Sequence, residues 1–239
     1  MNSYVVVLKV LIAIIFGTFA LIIPNILMIY FSKNTNLFEN SLFVKKGFMH
    51  LSMIIVSLMI ILLINRGSLQ NYGFNISLEF NIVKIVIISI VLGFLSSYIA
   101  SLMKCSNSFN PTRDFTLIHK VIFVWILASI AEEVLARGLI QGYLTPLISL
   151  CLNIFGFKIS LPVLVSALFF GSMHLMLVQM GVPLQRVLII VVFGFILGII
   201  AGYLRESTDS LFPAIVVHAC FNIGASPFMY IKSLINSDG

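Results

Sequence analysis

Charge is what this sequence has least of. Charged residues make up 9% of its 239 positions, against about 25% in an ordinary soluble domain, which excludes a soluble globular protein. With 60% hydrophobic residues and a mean hydropathy of +1.14, the chain reads as a polytopic membrane protein. Cysteine is scarcer still in number, with three residues. Cys105, Cys151 and Cys220 are odd in number and lack a Cys-x-x-Cys spacing, so neither a disulfide framework nor a zinc knuckle is implied. The formal charge of +6 comes from basic residues scattered at the ends of apolar runs, not clustered. That pattern suits orientation of membrane loops and argues against nucleic acid as a partner. No Pro/Gly/Ser-rich linker or low-complexity tract breaks the chain, which predicts a single integral membrane domain.

What the chain does have is apolar runs long enough to cross about 30 Å of hydrocarbon. They fall at 4–31, 48–65, 81–103, 117–142, 161–180, 185–204 and 211–231. A shorter piece from Tyr143 to Phe157 follows Pro146 and reads as a broken or re-entrant eighth segment. The expected fold is therefore all-α, a bundle of seven or eight transmembrane helices. The first run is too long for a signal-peptide core and carries no Ala-x-Ala cleavage pattern, so it reads as a retained span. Ser160-Leu161-Pro162 and Asp209-Ser210-Leu211-Phe212-Pro213 predict caps with proline in the first helical turn, and Gly181-Val182-Pro183 predicts a turn. Asn110-Pro111-Thr112-Arg113-Asp114 is the clearest polar turn. Lys33, Lys45 and Lys46 in one loop, and Lys104, Arg113 and Lys120 in another, make both loops cytoplasmic by the positive-inside rule. Lys9 and Lys84 fall within spans and are expected to snorkel. Gly194, Gly198 and Gly202 recur every four residues, a stripe for close helix packing behind the site.

One stretch stands apart. Ile130-Ala131-Glu132-Glu133-Val134-Leu135-Ala136-Arg137 sets three ionisable residues in an apolar run, and each charge at mid-bilayer costs about 2.5–3.5 kcal/mol on insertion scales. Glu133 and Arg137 are i and i+4 on a helix and neutralise one another. Glu132 points about 100° away and lacks that partner. Of the four histidines, His50 and His119 sit near segment ends, where an interfacial imidazole is ordinary. His174 and His218 lie inside spans, and Asn222 shares a helix face with His218. Buried polar groups on three helices need partners where water is scarce, which favours a shared site. A buried carboxylate serves as a general base, a histidine orients the attacked water, and Asn and His N–H groups stabilise an oxyanion. The set suits hydrolysis of an amide. His-Glu-x-x-His, Gly-x-Ser-Gly and Gly-x-Gly-Asp are all missing, which argues against zinc, rhomboid-like serine and aspartyl intramembrane proteases respectively.

Glu132-Glu133-x-x-x-Arg137, Phe170-x-x-x-His174 and His218-x-x-x-Asn222, in this order, resemble the three motifs of the CPBP intramembrane proteases. That group includes type II CAAX prenyl endopeptidases and bacteriocin-processing or immunity proteins. The resemblance covers about 115–231, a catalytic core preceded by variable N-terminal helices at 1–114. It implies Glu132 as general base, His174 beside the nucleophilic water, His218 and Asn222 at the oxyanion, Glu133 and Arg137 holding the helix, and Phe170 packed against them. It implies an intramembrane endopeptidase of the bacterial cell membrane, cleaving a small peptide or lipidated protein in peptide maturation or bacteriocin self-immunity. A bacteriocin-immunity protein that binds peptide without turnover is the alternative, and an ion carrier is a third reading. No cofactor is required on the favoured metal-independent mechanism; zinc is the alternative that two histidines and a carboxylate would accept.

Overall fold

The computed structural model describes residues 3–35, 42–65, 69–75, 81–103, 115–154 and 156–235, without the side chains of 42, 154, 157 and 227–235. The polar turn at 110–114, Lys104 and Cys105 lie outside the described residues. Seven helical segments are described: α1 (Ser3–Asn34), α2 (Leu42–Ile64), α3 (Ile82–Leu102), α4 (117–144), α5 (Leu161–Met173), α6 (Leu184–Thr208) and α7 (Leu211–Ile235). Among the described residues, five helices are long and apolar enough to cross a membrane: α1, α2, α3, α6, and α5 with the 3-10 turn His174–Val178 that prolongs it. The architecture is an all-α membrane bundle.

Apolar side chains cover the outside. On α1, Leu8, Leu11, Ile15, Phe19 and Ile26 are exposed, while the buried positions are Val6, Ala13, Gly17, Ala20 and Pro24. That division is the reverse of a soluble helix: without a hydrophobic drive between helices in lipid, small residues let backbones approach. The closest approach joins α3 to α7. A Cβ on Gly93 would collide with the Phe221 carbonyl, and one on Gly224 with the Ile90 carbonyl, so two glycines face each other's helix reciprocally. The 194/198/202 stripe of α6 works in the same way. A Cβ on Gly198 would lie 2.9 Å from Ala167 of α5 and 3.1 Å from the Arg137 guanidinium, and one on Gly202 would lie 3.0 Å from the Gln141 amide oxygen.

The segment after α4 corrects one expectation. Residues 143–157 form no eighth helix: Cys151–Ile154 (β1) pairs antiparallel with Phe157–Ser160 (β2), turning at Gly156 with φ 84°. Pro146 ends the helical path, and a two-stranded ribbon satisfies its own backbone groups across the pair. Ser160 then caps α5 by accepting from the Val163 N–H, with Pro162 in the first turn as its sequence suggested. Asp209 adopts φ 49° at the C-terminus of α6, and Ser210 accepts from the Phe212 N–H to open α7. The Lys9 ammonium donates to the Leu147 carbonyl after α4 (3.1 Å).

Candidate active site

Helix α4 carries the diglutamate, and its winding is irregular. Lys120–Ala128 and Val134–Gln141 are π-helical, and between them Ser129–Glu133 is α-helical. Wide turns of this kind are rare and gather at functional sites, because they re-aim side chains relative to a regular helix. Here they bracket Glu132 and Glu133.

The two glutamates have different surroundings. Glu133 is fully buried, and one of its oxygens, Oε1, accepts from Arg137 Nη1 at 3.0 Å and from His218 Nδ1 at 2.8 Å. The salt bridge is the i, i+4 pair foreseen above. Glu132 keeps 18% of its side chain exposed, and His218 Nε2 stands 3.7 Å from its Oε2, beyond hydrogen-bond length. A carboxylate accepts and cannot donate when ionised, so His218 carries its proton on Nδ1 and presents Nε2 toward Glu132. Likewise His174 Nδ1 lies 2.9 Å from the Phe170 carbonyl, which only accepts, and so His174 also presents Nε2.

Phe170 ties these groups together. Its ring meets His174 edge-on at 5.2 Å and His218 at 5.3 Å between centroids, and the Arg137 guanidinium carbon lies 4.5 Å from the ring centre. Three side chains from separate segments thus share one aromatic surface. Arg137 is completely buried, and its Nε and Nη2, together with Glu133 Oε2, have no hydrogen-bond partner among the described residues.

Asn222 is placed differently from the expectation for an oxyanion donor. Its amide nitrogen donates to the Val124 carbonyl (3.2 Å) and to Ser129 Oγ (3.1 Å), both on α4. Since a carbonyl only accepts, the orientation of the amide is fixed by its partners, and both amide hydrogens are engaged. Trp125 Nε1 donates to Ser226 Oγ one turn further along α7, fastening the same two helices. As for a metal, among the described residues no three of His, Cys, Asp and Glu converge closely enough to hold one.

His119, set aside above, stacks on Phe43 at 4.5 Å and stays away from the site. His50 was set aside too, yet its Nδ1 is buried without a hydrogen-bond partner among the described residues, and the charges of Glu132, Lys46 and His218 all act on it. The available signal was Lys46-x-x-x-His50, two ionisable groups at i, i+4 in an otherwise apolar helix.

A multi-pass helical bundle with carboxylates, imidazoles and an amide gathered among its helices is a membrane-embedded protein built for polar chemistry. The family model "Type II CAAX prenyl endopeptidase Rce1-like" matches residues 114–224, so this part of the helical core is similar to the CPBP membrane endopeptidases. The family activity is that of a CAAX intramembrane protease, with a peptide or prenylated protein as substrate. No curated protein matches the chain, and no solved structure does.

Proposed function

We propose that the chain is an intramembrane endopeptidase in which Glu132 activates the water that attacks a peptide carbonyl. One observation carries this reading: the paired glutamates divide their work. Glu133 is buried and held through Oε1 by Arg137 and His218, whereas Glu132 is left partly exposed with no hydrogen bond from the described residues. A helix meant only to be neutralised in the membrane needs Glu133 and Arg137 alone; an added open carboxylate at that depth is a functional group by default.

The steps follow from the donors and acceptors present. Glu132 accepts a proton as the water oxygen bonds to the carbonyl carbon, and returns it to the leaving amine nitrogen when the C–N bond breaks. His218, held on Glu133 through Nδ1, accepts from the water at Nε2 when neutral and donates to the oxyanion when protonated. With one water hydrogen passing to Glu132, His174 Nε2 is the alternative to His218 as acceptor of the other. Asn222 joins the oxyanion site by exchanging its Ser129 hydrogen bond for one to the developing charge.

All seven helical segments cross the bilayer on this reading, with 1–114 as scaffold for the core at 115–231. Loops 32–47 and 104–120 face the cytoplasm of a bacterial cell. The substrate is a small peptide or lipidated protein, and the setting is peptide maturation or self-immunity to a bacteriocin. Comparative peptidomics of host membrane and medium tests this, with wild type against Glu132→Gln, which keeps shape and removes the base. The expected result is specific fragments that vanish in the variant at unchanged protein level. Identical peptides with a preserved immunity phenotype would instead make the protein a binding module.

A further inference from the structure

Helix α2 carries two polar groups that the chemistry above does not use. After Lys45, Lys46 and His50 are its only ionisable residues, and they lie one turn apart. The packing of α2 tells which way His50 faces. A Cβ on Gly47 would lie 2.7 Å from the Phe123 ring of α4, while Met53 and Ile61 share a buried cluster with Ala131, Leu135 and Leu139 of α4. Positions 47, 50, 53, 57 and 61 therefore run along the side of α2 that meets α4, and His50 falls on it between contacts with Phe123 and with the turn that bears Glu132. Lys46 Nζ is spent on the Phe115 ring, 5.3 Å from its centroid.

Two incomplete groups thus lie on facing helices. Among the described residues, His50 has a buried ring nitrogen with no hydrogen-bond partner, and Glu132 has a carboxylate with no donor closer than His218 at 3.7 Å. A ring N–H and a carboxylate complement each other, and a buried polar group left unmatched is costly. The other ionisable groups around Glu132 are His218 from α7, Lys46 from α2, and Glu133 and Arg137 from its own helix.

We propose that His50 is a further positioning residue of this site, holding the Glu132 carboxylate through Nδ1, directly or through one water, from the side opposite His218. The inference rests on the hydrolytic reading above and adds to it a residue outside the family-matched region 114–224. Glu132 is then gripped between α2 and α7. A group so held loses little freedom when water is attacked, and misplacing it costs about 10²-fold in rate.

The test uses full-length protein in lipid nanodiscs, labelled with ¹⁵N-histidine, with the His50 signals identified by their absence in His50→Leu. Glu132→Gln should move the His50 ring resonances and leave those of His119 in place. His50 resonances that stay fixed overturn the proposal whatever the protein cleaves. Turnover of a quenched, farnesylated CAAX-type peptide gives the second readout. His50→Leu should lower kcat about 10²-fold at nearly constant KM. His50→Asn, whose amide nitrogen falls where Nδ1 was, should recover most of that loss, and His50→Gln should not. Equal behaviour of Asn and Gln, or an effect confined to KM, overturns the proposal. Wild-type turnover by Glu132→Gln would instead remove the hydrolytic reading, and the resonance experiment would still report on His50.

Discussion

Arg137→Met isolates the buried charge pair at the centre of the bundle. Arg137 and Glu133 are each fully buried, 3.0 Å apart, and Arg137 also lies on the Phe170 ring. Removing the guanidinium strands a carboxylate whose remaining partner is His218. Breaking one side of such a pair costs about 3–5 kcal/mol, because the surviving charge stays buried. The lost contact with the ring adds about 2 kcal/mol at a desolvated site. A domain is held by about 5–15 kcal/mol, so the single variant stands near the limit of folding. At about 2–4 °C per kcal/mol for a chain of this size, its Tm should fall by at least about 10 °C. Glu133→Gln strands the guanidinium in turn and should cost about 3–5 kcal/mol. The double variant Glu133→Gln/Arg137→Met buries no uncompensated charge, and glutamine retains an oxygen for His218 Nδ1. Its cost should stay below that of either single change, giving a coupling of more than about 2 kcal/mol. Trp125, the only tryptophan, sits on the same helix and reports unfolding by its fluorescence in nanodiscs. Additive single effects, or an Arg137→Met cost under about 1 kcal/mol, would refute the reasoning.

Gly93→Val should separate α3 from α7, because no side chain fits against the Phe221 carbonyl. Overpacking of this kind costs about 1–3 kcal/mol, read as lower thermal stability, while the same change at exposed Gly181 should be limited to local backbone strain. Because the described histidines and carboxylates do not converge on a metal-holding point, chelators should leave turnover of the farnesylated probe within about twofold, less than a difference of about 0.5 kcal/mol. Loss of activity that zinc restores would refute that reading.

The glutamate pair shows how far local sequence carries. Spacing alone gave the Glu133–Arg137 bridge and left Glu132 over, since i, i+4 neighbours meet on any helix. The caps at Ser160 and Ser210 and the turn at Gly181 were equally readable, being local chemistry. His218 was read beside Asn222, but the structure gives its Nδ1 to Glu133, 85 positions away, while Asn222 binds α4. That choice is made by helix packing, which spacing does not encode. The ribbon at 151–160 was misread because a short apolar stretch looks alike whether it is strand or broken helix. His50 was passed over for a similar reason: an imidazole near a span end is unremarkable until the neighbour of its helix is known. The π turns of α4 left no mark in the sequence at all.

At the far corner of the bundle, the loop 69–75 is stitched to the junction of α6 and α7. Arg205 donates to the Asn71 carbonyl (2.9 Å), the Leu211 N–H to the Gly73 carbonyl (2.8 Å), and Ser210 Oγ to the Asn75 carbonyl. All three acceptors are backbone oxygens, so these bonds hold the path of the loop without naming its side chains, while Gly73 at φ 84° and buried Tyr72 are fixed for other reasons. The seam ties the loop at 69–75 to the end of α6 and the start of α7, the helix that bears His218. Three main-chain acceptors therefore act as a rivet at this end of the bundle: the junction of α6 and α7 cannot move away from the loop without breaking all of them.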